Sequence, residues 1–106
     1  MNRKTHARFE ARARIVKDLA HPTRLFLVDE LSRGTRCVCE LQRMVGADMS
    51  TVSKHLSILK TAGIVEIDKR GAQVYYSLRV PCILKFFGCI EAVLTSVAAD
   101  QRKAIG

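Results

Sequence analysis

Residues 47–62, with the sequence ADMSTVSKHLSILKTA, constrain the fold of this chain more than any other stretch. Val52, Leu56 and Leu59 recur at helical spacing, so they predict an apolar stripe on the inner face of an α-helix. Ser50 is expected to cap this helix, because its hydroxyl can accept a hydrogen bond from a free amide of the first turn. The stretch therefore predicts a capped, amphipathic helix that packs on a core.

The outer face of this helix carries short hydrogen-bonding groups in its first two turns. They are Ser50, Thr51, Ser53, Lys54, His55 and Ser57. Groups of this size reach base edges and phosphates when the start of a helix enters the major groove of DNA. An ordinary amphipathic helix with a polar outer face has the same pattern, so the neighbouring segments must decide between the two interpretations.

The segments before this helix also read as helices. Helices are predicted over residues 5–19, 23–31 and 38–45, and the basic residues 1–4 are expected to be frayed. His21-Pro22-Thr23 separates the first two, since proline is favoured at the first position of a helix. The turn Gly46-Ala47-Asp48 is short and small, which indicates a helix-turn-helix pair.

After Gly63 the periodicity changes from helical to alternating. Two strands are predicted, over residues 64–69 and 73–78, with a tight turn at Arg70-Gly71-Ala72. A hairpin with a basic tip behind such a helix is typical of a wing. Lys69, Arg70 and Gln73 are therefore predicted to lie along phosphates or to enter the minor groove.

A last helix is predicted over residues 81–103, opening at Pro81. It carries two adjacent apolar stripes, of which one can serve the protomer and the other a partner. The stripes are Cys82, Phe86, Cys89, Val93 and Val97, and beside them Ile83, Phe87, Ile90 and Leu94. The fold class is thus mostly α with a small β-hairpin, a winged helix-turn-helix whose first and last helices form a homodimer interface. A twofold dimer would read an inverted repeat in double-stranded operator DNA.

The composition agrees with a nucleic-acid partner. The 106 residues suffice for one domain, and their net charge of +8 favours a polyanion. No apolar run reaches membrane-spanning length and no signal peptide is recognisable, so we expect a cytoplasmic protein without a membrane partner. The four cysteines are accordingly expected to be reduced. No nucleophile–base pair, phosphate loop or paired acids indicate an enzyme.

Four stretches, in this order, resemble the ArsR/SmtB family of metal-responsive winged-helix repressors, in particular its arsenic- and cadmium-sensing members. They are LAHPTRLFLVDEL, CVCEL, MSTVSKHLSILKTAGIV and RGAQVYYSL, and the resemblance covers roughly residues 16–78. It implies a homodimer that binds operator DNA when free of effector and leaves it on binding a metal or metalloid. It also implies groove and phosphate contacts by residues 50, 51 and 53–55, and a wing contact by Arg70.

Cys37 and Cys39 are the predicted metal ligands. Thiolates select soft ions, so As(III) or Sb(III) is the first expectation for the effector, followed by Cd(II) or Pb(II), with Zn(II) also open. Residues two apart on a regular helix point about 200° away from each other. Both sulfurs can therefore reach one ion only if Cys37 lies outside the helix or at its N-cap, or if metal unwinds the first turn.

The third ligand stays open between two cysteines of the last helix. We prefer Cys82 to Cys89, from the same or the other protomer, and the two could also form a separate site across the dimer seam. Gln42 stands where some arsenic-type members carry a third Cys, and residues 1–36 contain no Cys. The zinc-sensing members of this family carry Asp and His ligands on the last helix. Here that stretch has no His and only Glu91 as an acid, so this set of ligands is absent.

Two alternative functions are compatible with the sequence. The same winged-helix repressor could use its cysteines as a redox or persulfide switch, with a Cys39–Cys82 disulfide as one version. A metal-buffering protein without DNA function is the third hypothesis, and the basic excess argues against it.

Overall fold

The computed structural model describes residues 1–105, and this part of the chain contains five helices and three strands. The helices are α1 (Arg3–Leu19), α2 (Pro22–Leu31), α3 (Val38–Val45), α4 (Met49–Thr61) and α5 (Ile83–Ile105). The strands are β1 (Arg36–Cys37), β2 (Val65–Arg70) and β3 (Gln73–Leu78). The predicted fold class, mostly helical with a hairpin behind a helix-turn-helix pair, is confirmed.

The core lies where α2, α3 and α4 meet the first residues of the sheet. Its fully buried side chains are Leu27, Val28, Leu41, Val52, Leu56, Leu59 and Val65. Burying a side chain of this size contributes about 1.5–3 kcal/mol. The predicted inner stripe of α4 is therefore part of this core, and it fixes which face of α4 points outward.

The sheet contains one strand more than the sequence predicted. Its order is β1-β3-β2 and both pairings are antiparallel, with Cys37 opposite Tyr75 and Arg70 opposite Gln73. Strand β1 has only two residues, too few for an alternating pattern to be visible. It ties the segment before α3 to the inner strand of the wing.

The structure corrects the predicted helix starts. Helix α1 begins at Arg3, two residues before the predicted start, and Asn2 caps it by accepting a hydrogen bond from the Thr5 amide at 2.8 Å. The fraying of residues 1–4 stays a prediction. Asp48, not Ser50, caps α4, since the helix already begins at Met49. Helix α5 begins at Ile83 instead of Pro81, because residues 81–82 form a turn first.

The predicted change from helix to strand after Gly63 is confirmed. The helix α4 ends at Thr61 with Ala62 as its C-cap, and Gly63 follows with φ +82°. Such a positive φ is readily adopted by glycine, which has no Cβ. The chain leaves α4 here and enters β2 two residues later.

Helices α1 and α5 leave most of their apolar surface uncovered. No residue of α5 is fully buried, although Ile83 and Phe87 pack partly on the core. The exposed fraction is 61% for Val93 and 49% for Phe9. The two predicted partner-facing helices thus each present an apolar face to solvent in the single protomer. None of the helices within residues 1–105 has the length and hydropathy that crossing a membrane requires.

Candidate nucleic-acid interface and cysteine site

The first turn of α4 is organised by Asp48. Its carboxylate accepts a hydrogen bond from the Thr51 amide at 2.8 Å, and the Ser50 hydroxyl donates to the same oxygen at 3.4 Å. The bond from Thr51 holds the pKa of Asp48 below its usual value. Ser50, Thr51 and Lys54 are exposed and Ser53 is half-buried. The structure therefore presents the predicted polar residues on the outer side of a firmly capped helix.

The turn between α3 and α4 is fixed by two features. Gly46 ends α3 in the left-handed conformation, with φ +78°. The Gln42 amide donates to the Ala47 carbonyl oxygen at 2.7 Å. Gln42, which the sequence marked only as a departure from a cysteine pattern, thus holds the turn that orients α4.

His55 is half-buried, like Ser53, and its ring nitrogen is held by a residue of another helix. Its Nδ1 accepts a hydrogen bond from Nε of Arg24 at 3.1 Å, and its ring lies 4.4 Å from the His21 ring, centroid to centroid. Burial lowers the pKa of His55, and the neighbouring basic groups of His21, Arg24 and Lys54 lower it further. Arg24 was missed by sequence reasoning because it lies 31 residues from His55, and no local pattern links the two.

The predicted wing contacts lie at the tip of the β2–β3 hairpin. Lys69, Arg70 and Gln73 are all exposed. Arg70 donates from Nε to Asp68 at 2.9 Å, and its guanidinium lies 4.7 Å from the centre of the Tyr75 ring. The wing cation is thus held by its own hairpin, beside a carboxylate that repels phosphate.

Cys37 is buried and caps α3. Its sulfur accepts a hydrogen bond from the Glu40 amide at 3.4 Å, and its own amide donates to Oε1 of Glu40, also at 3.4 Å. These two bonds form a capping box in which a thiol takes the place of the usual hydroxyl. They also hold the pKa of Glu40 below its usual value, with a smaller contribution from Arg36 and Arg43. The geometric condition set by the sequence, with Cys37 at the N-cap, is met.

The other cysteines lie apart from this box or at its edge. Cys39 is half-buried on α3, whereas Cys82, in the turn before α5, and Cys89, on α5, are exposed; all four are free thiols. Within residues 1–105 of one protomer, no three His, Cys, Asp or Glu side chains are grouped so that they could hold a metal ion. The structure therefore does not bring Cys82 or Cys89 to Cys37 and Cys39 in the single chain.

A capped helix anchored at a helix-turn-helix junction, followed by a basic hairpin, defines a winged helix-turn-helix protein. The family model described as "Bacterial regulatory protein, arsR family" matches residues 21–66. The Biofilm growth-associated repressor of Xylella fastidiosa (strain 9a5c) is 34% identical over 92 residues, which cover 87% of this chain and 78% of that protein. The chain belongs to the arsR family of bacterial regulatory proteins.

Solved structures show the same fold. The transcriptional repressor BigR from Xylella fastidiosa superimposes with a TM-score of 0.73 at 31% identity, covering 88% of this chain and 96% of that one. The homodimeric winged helix-turn-helix DNA-binding domain of Mb0332 from Mycobacterium bovis gives 0.78 at 28% identity, covering 92% and 91%. The two Xylella fastidiosa relatives are repressors, which confirms the prediction of a transcriptional regulator that is not an enzyme.

Proposed function

We propose that the chain is a homodimeric, DNA-binding transcriptional repressor that leaves its operator when cysteine thiolates bind a thiophilic metal or metalloid. The observation that carries the proposal is the position of α4. Its apolar stripe is locked into the core, so Ser50, Thr51 and Lys54 face outward from its capped N-terminal turns. The wing tip adds Lys69 and Arg70. Such groups suit phosphate oxygens and the acceptors of the major groove.

Dimerisation is supported by the uncovered apolar faces of α1 and α5. Single exposed apolar residues are common, but two helices with continuous apolar faces indicate an interface. The related Mb0332 domain is homodimeric, and two copies of α4 would then face an inverted repeat.

The effector proposal rests on the capping box. An ion that draws the Cys37 sulfur toward a second ligand would move it away from the Glu40 amide, so occupation of Cys37 would loosen the first turn of α3. Cys39, two residues further, can then turn toward the same ion. The turn that Gln42 holds lies at the other end of this eight-residue helix, so a change at Cys37 is coupled to the orientation of α4.

The ion is proposed from ligand chemistry alone. As(III) and Sb(III) come first, then Cd(II) and Pb(II), with Zn(II) as a further option, because sulfur donors select soft ions. A third sulfur would come from Cys82, or less favourably from Cys89, of either protomer.

A redox or persulfide switch is the second proposal. It is favoured by the exposure of Cys82 and Cys89, since oxidation follows access to the thiol. In this version the same DNA-binding surface is released by oxidant or persulfide, with Cys82 as the first thiol to react.

The test is a fluorescence-anisotropy titration on a DNA fragment upstream of the protein's own gene, under reducing conditions. Arsenite, Cd(II) and Zn(II) are added separately to the wild type and to Cys37→Ser, Cys39→Ser, Cys82→Ser and Cys89→Ser, and peroxide or a persulfide donor is added to the same proteins after the reductant is removed. We expect arsenite to release the wild type and to fail with the Cys37 and Cys39 variants. Release by peroxide or persulfide only would favour the redox switch, and absence of specific binding by the wild type would refute the repressor.

A further inference from the structure

The Arg24 side chain joins three helices next to the proposed DNA surface. Its Nη1 donates to the Asp18 carbonyl oxygen near the end of α1 at 2.8 Å, and its Nε donates to Nδ1 of His55 on α4 at 3.1 Å. Arg24 itself lies on α2. The bond to His55 is thus made by a side chain that is held at a second point, so the imidazole has a fixed partner.

This bond determines where the His55 proton is. A guanidinium is a donor only, so Nδ1 must act as acceptor and be unprotonated. A neutral imidazole then carries its proton on Nε2. Nε2 has no hydrogen-bond partner within residues 1–105, and Arg36 Nε is the one buried side-chain nitrogen left unpaired there. The free nitrogen of His55 therefore reaches solvent as an N–H donor.

We propose that Arg24 is a positioning residue that fixes His55 as a neutral Nε2–H donor, so that His55 recognises a hydrogen-bond acceptor on DNA. This inference rests on the proposed DNA-binding function. The acceptor is a phosphate oxygen or guanine N7 in the major groove. The amino group of cytosine, a donor, is excluded by the same tautomer.

The charged groups around His55 determine how the proposed contact with DNA depends on pH, and low pH is expected to break it. The titratable and charged groups that face its ring are His21 and Arg24 at the start of α2 and Lys54 on α4, and all of them are basic. A second proton would go to Nδ1 and point at the Arg24 donor. Because the pKa of His55 is lowered, the Arg24–His55 bond is intact at and above the ordinary value of 6.5, and it is lost only as the pH falls through the lower value in the folded state.

The first experiment is long-range ¹H–¹⁵N NMR of the free, full chain, which reports the protonation of each ring nitrogen without DNA. We expect the wild type to show His55 protonated on Nε2 with Nδ1 unprotonated. Arg24→Met, which keeps the length of the side chain and removes the donors, should mix the two tautomers and raise the His55 pKa. Arg14→Met, at an exposed arginine of α1, is the matched control. A wild-type His55 with its proton on Nδ1 would overturn the proposal.

The second experiment measures DNA affinity on operators with single-atom changes. His55→Gln keeps an N–H donor near the Nε2 position and should retain more affinity than His55→Leu, which we expect to lose about five- to tenfold. The His55→Leu effect should vanish on a fragment with one methylphosphonate, if the acceptor is a phosphate, or one 7-deazaguanine, if it is a base.

Persistence of the full His55→Leu effect on every modified fragment would contradict the proposal. A wild type that binds no DNA would instead refute the proposed function, while the NMR result would still decide the tautomer.

Discussion

Cys37 lies directly opposite Tyr75 in the pairing of β1 with β3, and the Tyr75 ring carries the Arg70 guanidinium at 4.7 Å. The proposed effector residue and the tip of the wing are therefore two parts of one small sheet. An ion that rearranges the N-cap of α3 acts on the backbone that pairs with Tyr75. We expect effector binding to change the wing together with α4.

Replacement of Cys37 separates its structural role from its sensing role. Cys37→Ala removes the cap acceptor and is expected to cost about 1 kcal/mol in the free energy of unfolding, whereas Cys37→Ser supplies a good N-cap and should be neutral. Both variants lose the response to arsenite. Urea denaturation and the anisotropy titration measure the two effects. Equal stability of both variants would contradict the capping role of the thiol.

Asp48 makes the start of α4 sensitive to acid. Its pKa is lowered by the bond from Thr51, so the bond stabilises the fold above the ordinary value of 3.8 and is lost as the pH falls through the lower value in the folded state. Asp48→Asn keeps an acceptor without a titrating group, and Asp48→Ala removes the cap. We expect thermal unfolding between pH 2 and 5 to be less pH-dependent in both variants. Only Asp48→Ala should also be less stable than the wild type at pH 7.

We expect the Asp68–Arg70 ion pair at the wing tip to weaken DNA binding. Asp68→Asn removes a negative charge and frees Arg70, so we expect a few-fold higher affinity at low salt that fades at high salt. Arg70→Ala should weaken binding and reduce the salt dependence. Anisotropy titrations at several salt concentrations measure both. An unchanged affinity for Asp68→Asn at low salt would show that the wing tip does not approach DNA.

The exposed apolar face of α5 predicts a homodimer. Val93→Glu places a charge on the apolar face and should give a monomer, because an unpaired charge is costly to bury. Thr95→Glu introduces the same charge on the opposite side of the helix and should leave the dimer intact. Sedimentation equilibrium at micromolar concentration gives the mass. A dimeric Val93→Glu variant would place the interface elsewhere.

The helices and the hairpin were predictable because each has a local signature. The apolar residues of α4 recur at helical spacing, and Gly63 and Gly71 mark the points where the chain turns. Helix α3 was predicted at its observed bounds, Val38–Val45. The cap of α4 was placed at Ser50 because hydroxyls are common caps, but Asp48 is equally suited and lies two residues earlier.

The parts that were not predictable depend on contacts between distant residues. Strand β1 exists only because Tyr75 and Tyr76 lie beside it, and two residues carry no period of their own. The bond from Arg24 to His55 joins two helices, and neither residue signals the other in the sequence. Cys37 and Cys39 could be recognised in the sequence as ligands for a soft ion. The position of Cys82 relative to them depends on the direction in which α5 leaves the sheet.

The apolar face of α5 has a thermodynamic consequence for two chains that associate through it. Only Ile83 and Phe87 pack α5 partly on its own protomer, so the helix would gain most of its burial from a second copy, and the dimer population would follow mass action. Occupancy of a site that requires two protomers then rises with roughly the square of the free chain concentration when monomers dominate. The concentration of the protein in the cell would then affect the occupancy of the DNA site independently of the effector. Dilution at cell division would lower this occupancy even where no effector is present.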